Sequence, residues 1–174
     1  LYNMVDSMVV GRFVGEDALA AVGSSFPVVF LSVAVASGLS MGCTVVISQF
    51  FGAGKIREMK VTVSTALISL GLIGLLIMGM GELISGPLLK LLGTDPDIMA
   101  DSLIYLKIYF GGAVFLFLYN SLNGIYNALG DSQTPLKFLI VSALTNIVLD
   151  LLFVIKFHMG VAGVAWATLI AQGL

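Results

Sequence analysis

The sequence predicts an all-α fold, a polytopic transmembrane bundle of about six helices. Two observations carry that expectation. First, 59% of the 174 residues are hydrophobic and 10% are charged, with a mean hydropathy of +1.08. Soluble domains carry about 25% charged residues, so the excess apolar surface has to meet something other than water, and lipid is the available partner. Second, the charges are bunched. None lies between Asp17 and Lys55, between Lys60 and Glu82, or between Lys107 and Asp131. A hydrocarbon core of about 30 Å takes roughly 20 helical residues at 1.5 Å each. The first gap exceeds one span, and the other two fit one span each.

Six segments follow, at about residues 1–14, 24–51, 61–81, 103–129, 136–157 and from near 161. The chain starts at Leu1 rather than Met, its first apolar stretch is too short to span, and its last stops at Leu174 without a flanking loop. Residues 1–174 are therefore expected to be one transmembrane domain cut inside its first and sixth helices. The breaks carry loop chemistry. Residues 11–17 (GRFVGED) separate the first two helices, and Gly52-Ala53-Gly54-Lys55 ends the second with glycine where a C′ residue belongs. Gly86-Pro87 and residues 94–97 (TDPD) bracket an amphipathic piece, Leu88 to Leu92, expected at the membrane surface. Asp95 followed by Pro96 is a start signal for the fourth helix. Pro27 falls near the expected start of the second, where a missing N–H costs little.

Orientation follows from the basic residues. Lys55, Arg57 and Lys60 crowd one loop, and Lys137 closes another on the same side; that side is assigned to the cytoplasm. The lone cysteine, Cys43, excludes an internal disulfide. A net charge of −2, without a basic run, argues against a nucleic-acid partner. The abundant glycines, 20 in all, suit close helix packing.

Two acids sit within apolar spans, Asp6 and Asp150. A carboxylate at the bilayer centre costs about 2.5–3.5 kcal/mol on the translocon scale, so such residues face a cavity or a partner. Asn146 lies one turn before Asp150 on the same helix face, and Ser142 one turn before that. A carboxylate beside an amide carbonyl suits a hard monovalent cation. It also suits a proton relay, since burial disfavours the charged form. Tyr2 and Asn3 precede Asp6 by four and three residues, and the phenol can donate to the carboxylate. Asn120, Asn123 and Asn127 share one face of the fourth helix and are expected to wall a polar cavity. Ser37, Ser40, Thr44 and Ser48 stripe the second helix and are expected to make interhelical hydrogen bonds, worth roughly 0.6 kcal/mol each. Phe115, Phe117, Tyr119 and Phe153 offer faces to an organic cation, although core or lipid packing is the commoner fate of such residues.

Several stretches, in order, resemble a known family. Residues 1–7 (LYNMVDS), 10–15 (VGRFVG) and 18–23 (ALAAVG) resemble the first helix and outer loop of multidrug and toxin extrusion (MATE) transporters, most closely the bacterial DinF-like branch. Gly52-Ala53-Gly54-Lys55 and residues 128–135 (ALGDSQTP) resemble their cytoplasmic loops. Asn146 to Asp150 and residues 160–168 (GVAGVAWAT) resemble helices five and six. Gln133 departs from the family pattern, where a basic residue is common.

The resemblance implies the N-terminal lobe of a twelve-helix, two-lobe antiporter in the cytoplasmic membrane. Such a protein exports organic cations and drugs against Na+ or H+ influx, with no other cofactor and no catalytic residues. Its partner is the C-terminal lobe of the same full-length chain. The resemblance also implies a cation-coupling site of Asp6, Asn146, Asp150 and Thr168, a candidate monovalent Na+ site, and cavity positions at Tyr2, Asn120 and Asn123. Thr168 enters only through the family pattern. No phosphate-binding loop occurs in the chain, so an ion gradient is the expected driving force. The alternative within the superfamily is a flippase for lipid-linked oligosaccharides, whose anionic cargo calls for arginines that these spans lack. From other classes, an aspartyl protease dyad lacks its Gly-x-Gly-Asp pattern around Asp150, and a purely structural membrane protein leaves the buried acids unexplained.

Overall fold

The structure, a computed structural model, describes residues 2–174, with side chains from Met4 onward. Seven helices follow in order: α1 (Tyr2–Phe13), α2 (Glu16–Gly52), α3 (Ile56–Leu91), α4 (Met99–Gly111), α5 (Ala113–Ala128), α6 (Gln133–Leu151) and α7 (Gly160–Gly173), with a π-turn, Leu152–Lys156, closing α6. Among the described residues, three helices are long and apolar enough to cross a membrane alone, and α4 with α5 passes the same test as a bent pair. Large apolar side chains face outward along the helices, including Met8, Leu31, Leu76, Leu83 and Val148, each more than 60% exposed. In water this surface would drive aggregation; in a bilayer it is the solvent-facing side.

The ends of the helices sort by charge. The α2–α3 and α5–α6 turns share the basic end. At the opposite end lie the α1–α2, α3–α4 and α6–α7 connections, with Glu16, Asp17, Asp95, Asp97 and Asp101. Gly54 and Gly130 sit just past α2 and α5 at φ of 69° and 82°, where a side chain would be strained. The amides of Lys55 and Asp131 return to Phe50 and Tyr126, closing both helices.

Four boundaries differ from those expected. α2 begins at Glu16, because Ala18, Ala21, Val22 and Ser25 are buried and Glu16 and Asp17 suit a helix N-terminus. Pro27 therefore lies inside α2 rather than at its start. α3 runs through Pro87 to Leu91 instead of yielding a separate surface piece. Leu89, fully buried against Leu106 and Phe110, outweighs the lost hydrogen bond at the proline. The fourth segment breaks at Gly112, where α4 and α5 meet at 48°. A Cβ at Gly112 would lie 3.0 Å from Leu169 Cγ, so the break lets α7 approach. α4 itself starts at Met99. Asp95 and Pro96 form the preceding turn, in which Asp95 Oδ1 accepts the Asp97 amide at 3.1 Å.

Close approach of α3 to the bent span depends on missing side chains. A Cβ at Gly81 would fall 2.2 Å from Phe110 Cγ, and one at Gly74 would fall 2.7 Å from Val114 Cα. Gly81→Ala should therefore destabilise the folded protein by about 1–3 kcal/mol through overpacking. The control Gly79→Ala, whose Cβ meets nothing within 4 Å, should leave it unchanged or slightly more stable. Thermal unfolding in detergent separates the two.

The start of α6 is held by Asp131. Its Oδ1 accepts the amides of Gln133 at 3.1 Å and Thr134 at 3.0 Å, and its Oδ2 accepts the Thr134 hydroxyl at 2.6 Å. The Thr134 hydroxyl, then its amide, hold the Asp131 carboxyl below the usual carboxylate range. A lowered value in the folded state means that the cap is complete at neutral pH and is lost as pH falls through that lowered value. The protection factors of the Gln133 and Thr134 amides, taken against intrinsic exchange at each pH, should fall on acidification, and Asp131→Ala should lower them at every pH.

Candidate cation-coupling site

The residues with least tolerance for an apolar interior are the best hidden. Asp6, Asn146 and Asp150 are all 0% exposed, and Thr168 is 3% exposed. Three helices bring them together. α1 contributes Asp6, α6 contributes Asn146 and Asp150 one turn apart, and α7 contributes Thr168. The Thr168 hydroxyl reaches both oxygens of Asp6, at 3.0 Å to Oδ2 and 3.3 Å to Oδ1. Asn146 Nδ2 donates to Thr168 Oγ1 at 3.2 Å. Asp150 and Asn146 also lie within interaction range of the Asp6 carboxyl.

Against this network stand buried oxygens without a protein donor. Among the described residues, Asn146 Oδ1 and both carboxylate oxygens of Asp150 are buried and unpartnered. Such groups cost about 1–3 kcal/mol each in a protein interior, and more when charged. The donor set is all oxygen, and two carboxylates are its only acids. No group of three or more His, Cys, Asp or Glu positioned to hold a metal occurs among the described residues. Two carboxylates, an amide carbonyl and a hydroxyl fit a hard cation, or a proton shared between the acids.

α4 adds two groups that the sequence reading passed over. The Tyr105 hydroxyl donates to Asp6 Oδ2 at 3.5 Å, and Tyr105 is 1% exposed. Tyr109, one turn on, is buried with an unpartnered hydroxyl. Ser102, Tyr105 and Tyr109 recur at helical spacing on one face, which is the sequence signal for them. The Tyr2 side chain lies outside the described residues.

The asparagine row faces the serine stripe across the α2–α5 contact. Ser37 Oγ donates to Asn120 Oδ1 at 3.0 Å and Ser40 Oγ to the Asn120 carbonyl at 2.5 Å, while Asn120 Nδ2 donates to the Leu116 carbonyl. Asn127 Nδ2 donates to Asn123 Oδ1 at 3.3 Å. Thr44 and Ser48 bond instead to carbonyls of their own helix. Asn123 also lines a cavity of about 430 Å³ with Phe115, Tyr119, Tyr126 and Ser142, whereas Phe117 is fully buried in the core. Asn120 and Asn123 are thus part of a polar wall, separate from the acidic cluster.

The MatE family profile matches residues 1–152. The chain belongs to the MatE family. It is 34% identical over 173 residues to the probable multidrug resistance protein YoeA of Bacillus subtilis, covering 97% of this chain and 37% of that one. It is 33% identical to the probable multidrug resistance protein YpnP of the same organism, covering 99% of this chain and 39% of that one. A crystal structure of MATE in the bent conformation superposes with a TM-score of 0.93 at 29% identity, over 99% of this chain and 38% of that one. The chain thus spans 37–39% of the length of these relatives. Family membership and the apolar helices make it part of a multi-pass membrane protein.

The Thr168 hydroxyl is the common partner of Asp6 and Asn146. Thr168→Val should destabilise the protein by about 1–3 kcal/mol, since it strands both groups. Thr168→Ser should restore most of the loss, as read by thermal unfolding in detergent.

Proposed function

We propose that the full-length MatE protein exports organic cations in exchange for Na+ or H+, and that Asp6, Asn146, Asp150 and Thr168 are where the ion couples to transport. The observation that carries this reading is the pair of fully buried carboxylates, with both oxygens of Asp150 unpartnered. Two buried charges without a counter-charge cost several kcal/mol each, so the pair needs a cation or a proton in at least one state of the cycle. Ion binding neutralises the acids and draws α1, α6 and α7 together through Thr168. Loss of the ion frees them. An ion can shift the two conformations only by its differential affinity for them, and a site shared by three helices provides that difference. The relatives named for multidrug resistance support drug export. The uncharged wall of Ser37, Ser40, Asn120 and Asn123 supplies hydrogen bonds to the cargo, and Phe115 and Tyr119 supply aromatic faces for its positive charge.

The test uses the full-length protein in inverted vesicles. A cationic dye should accumulate under an imposed Na+ or H+ gradient, and Asp150→Asn should cut the initial rate at least tenfold. The effective gradient names the ion. Uptake unchanged in Asp150→Asn removes the coupling site. Well-folded protein with no dye uptake under either gradient favours a lipid-linked oligosaccharide flippase.

A further inference from the structure

A site with no exposed surface needs a way in, and the structure offers one. Asp6 is 0% exposed. Counting along the helices at 1.5 Å per residue, it lies about 10 Å from the acidic end of α1, at Phe13. Gly23 on α2 and Tyr105 on α4 lie at about the same depth from that end, counted from Glu16 and Met99. Between these three helices is a cavity of about 350 Å³, lined by Ser7, Val22, Gly23, Phe26, Val29 and Tyr105. Ser7 is the next residue along α1 from Asp6. The Tyr105 side chain is shared, since it lines the cavity and its hydroxyl lies 3.5 Å from Asp6 Oδ2.

The cavity is not uniformly apolar. Pro27 lies four residues after Gly23 inside α2 and has no N–H to give the Gly23 carbonyl. That carbonyl is therefore without its helical donor, in a residue that lines the cavity as Ser7 does. Space is also open there, because a Cβ built on Gly23 meets nothing within 4 Å. Phe26 and Val29 carry the cavity on to about 15 and 20 Å from the acidic end, deeper than Asp6. Ser142, one turn before Asn146, donates its hydroxyl to the Ala171 carbonyl and borders the 430 Å³ cavity.

We propose that the cavity between α1, α2 and α4 is the antechamber through which the coupling ion reaches Asp6, with Tyr105 as the gate between them. This rests on the coupling site proposed above. A hard cation or hydronium passes Ser7 and Gly23 in the cavity. It reaches Asp6 when the Tyr105 side chain swings aside. The cavity sets the rate at which the ion arrives, and the four-residue cluster sets its affinity.

The test separates rate from affinity. In the full-length protein, with its other cysteines removed, Gly23→Cys is reconstituted folded and then treated with a methanethiosulfonate reagent carrying a bulky group. Modification should lower the initial rate of gradient-driven dye uptake about tenfold, and a reducing agent should restore it. The same treatment of Gly79→Cys, on the outer surface of α3, should change nothing. The ion-induced rise in melting temperature at saturating ion should be equal before and after modification of Gly23→Cys. An unchanged uptake rate after complete modification overturns the route. Loss of the ion-induced shift also overturns it, since the cavity is then part of the binding site. An ion-induced shift that persists in Asp150→Asn instead removes the coupling site on which the route depends.

Discussion

Two carboxylates in a lobe whose outside is hydrocarbon-facing set the terms for the rest of this structure. Neither Asp6 nor Asp150 has any exposed surface, so neither draws on bulk water for solvation. What surrounds them has to do so, and the bundle is arranged to that end. Thr168 bonds both oxygens of Asp6 and accepts from Asn146, while the Tyr105 hydroxyl approaches from α4. The network is incomplete on the Asp150 side, where both carboxylate oxygens lack a protein donor. A fully satisfied network would be a structural brace; this one leaves buried oxygens open, which is what the proposed coupling role draws on.

The helices reach this arrangement by removing atoms at defined points. Gly74 and Gly81 let α3 lie against the two halves of the bent span, and Gly112 breaks that span where Leu169 presses on it. Leu169 follows Thr168, so the contact that shapes the break is adjacent to the residue that bridges Asp6 and Asn146. α4, carrying Tyr105 and Tyr109, and α5, carrying Asn120 and Asn123, therefore diverge at a point packed against the residue that follows Thr168. The polar groups divide accordingly, with Tyr105 beside Asp6 on one side of Gly112 and the uncharged wall on the other.

Two cavities neighbour the acidic cluster, one among α1, α2 and α4 that meets Asp6 through Tyr105, and one among α5, α6 and α7 lined by Ser142. Pro27 has a chemical consequence here, because its missing N–H leaves the carbonyl of Gly23, a residue lining the smaller cavity, without its helical donor. In hydrocarbon a free carbonyl is a penalty, and backbone of this kind is tolerated where it lines a polar space.

Much of this was legible in the sequence. The bunched charges and high hydropathy determined a membrane bundle and the number of its columns, because hydrocarbon thickness ties span length to residue count. Asp6, Asp150 and Asn146 stood out because charge in an apolar run is costly wherever it falls, and 146 and 150 share a helix face by periodicity alone. Thr168 came only by resemblance, and Tyr105 and Tyr109 were passed over, since a hydroxyl in a helix is cheap to satisfy and gives no local alarm. The long-range contacts were decided in three dimensions. Phe110 at Gly81, Leu169 at Gly112 and Leu89 against Leu106 set where helices bend or continue, overriding the local signals at Gly86-Pro87 and Asp95-Pro96. Local composition determines which segments enter the membrane. Packing between segments far apart in the chain decides which buried polar groups meet, because each side chain's partner lies on a different helix.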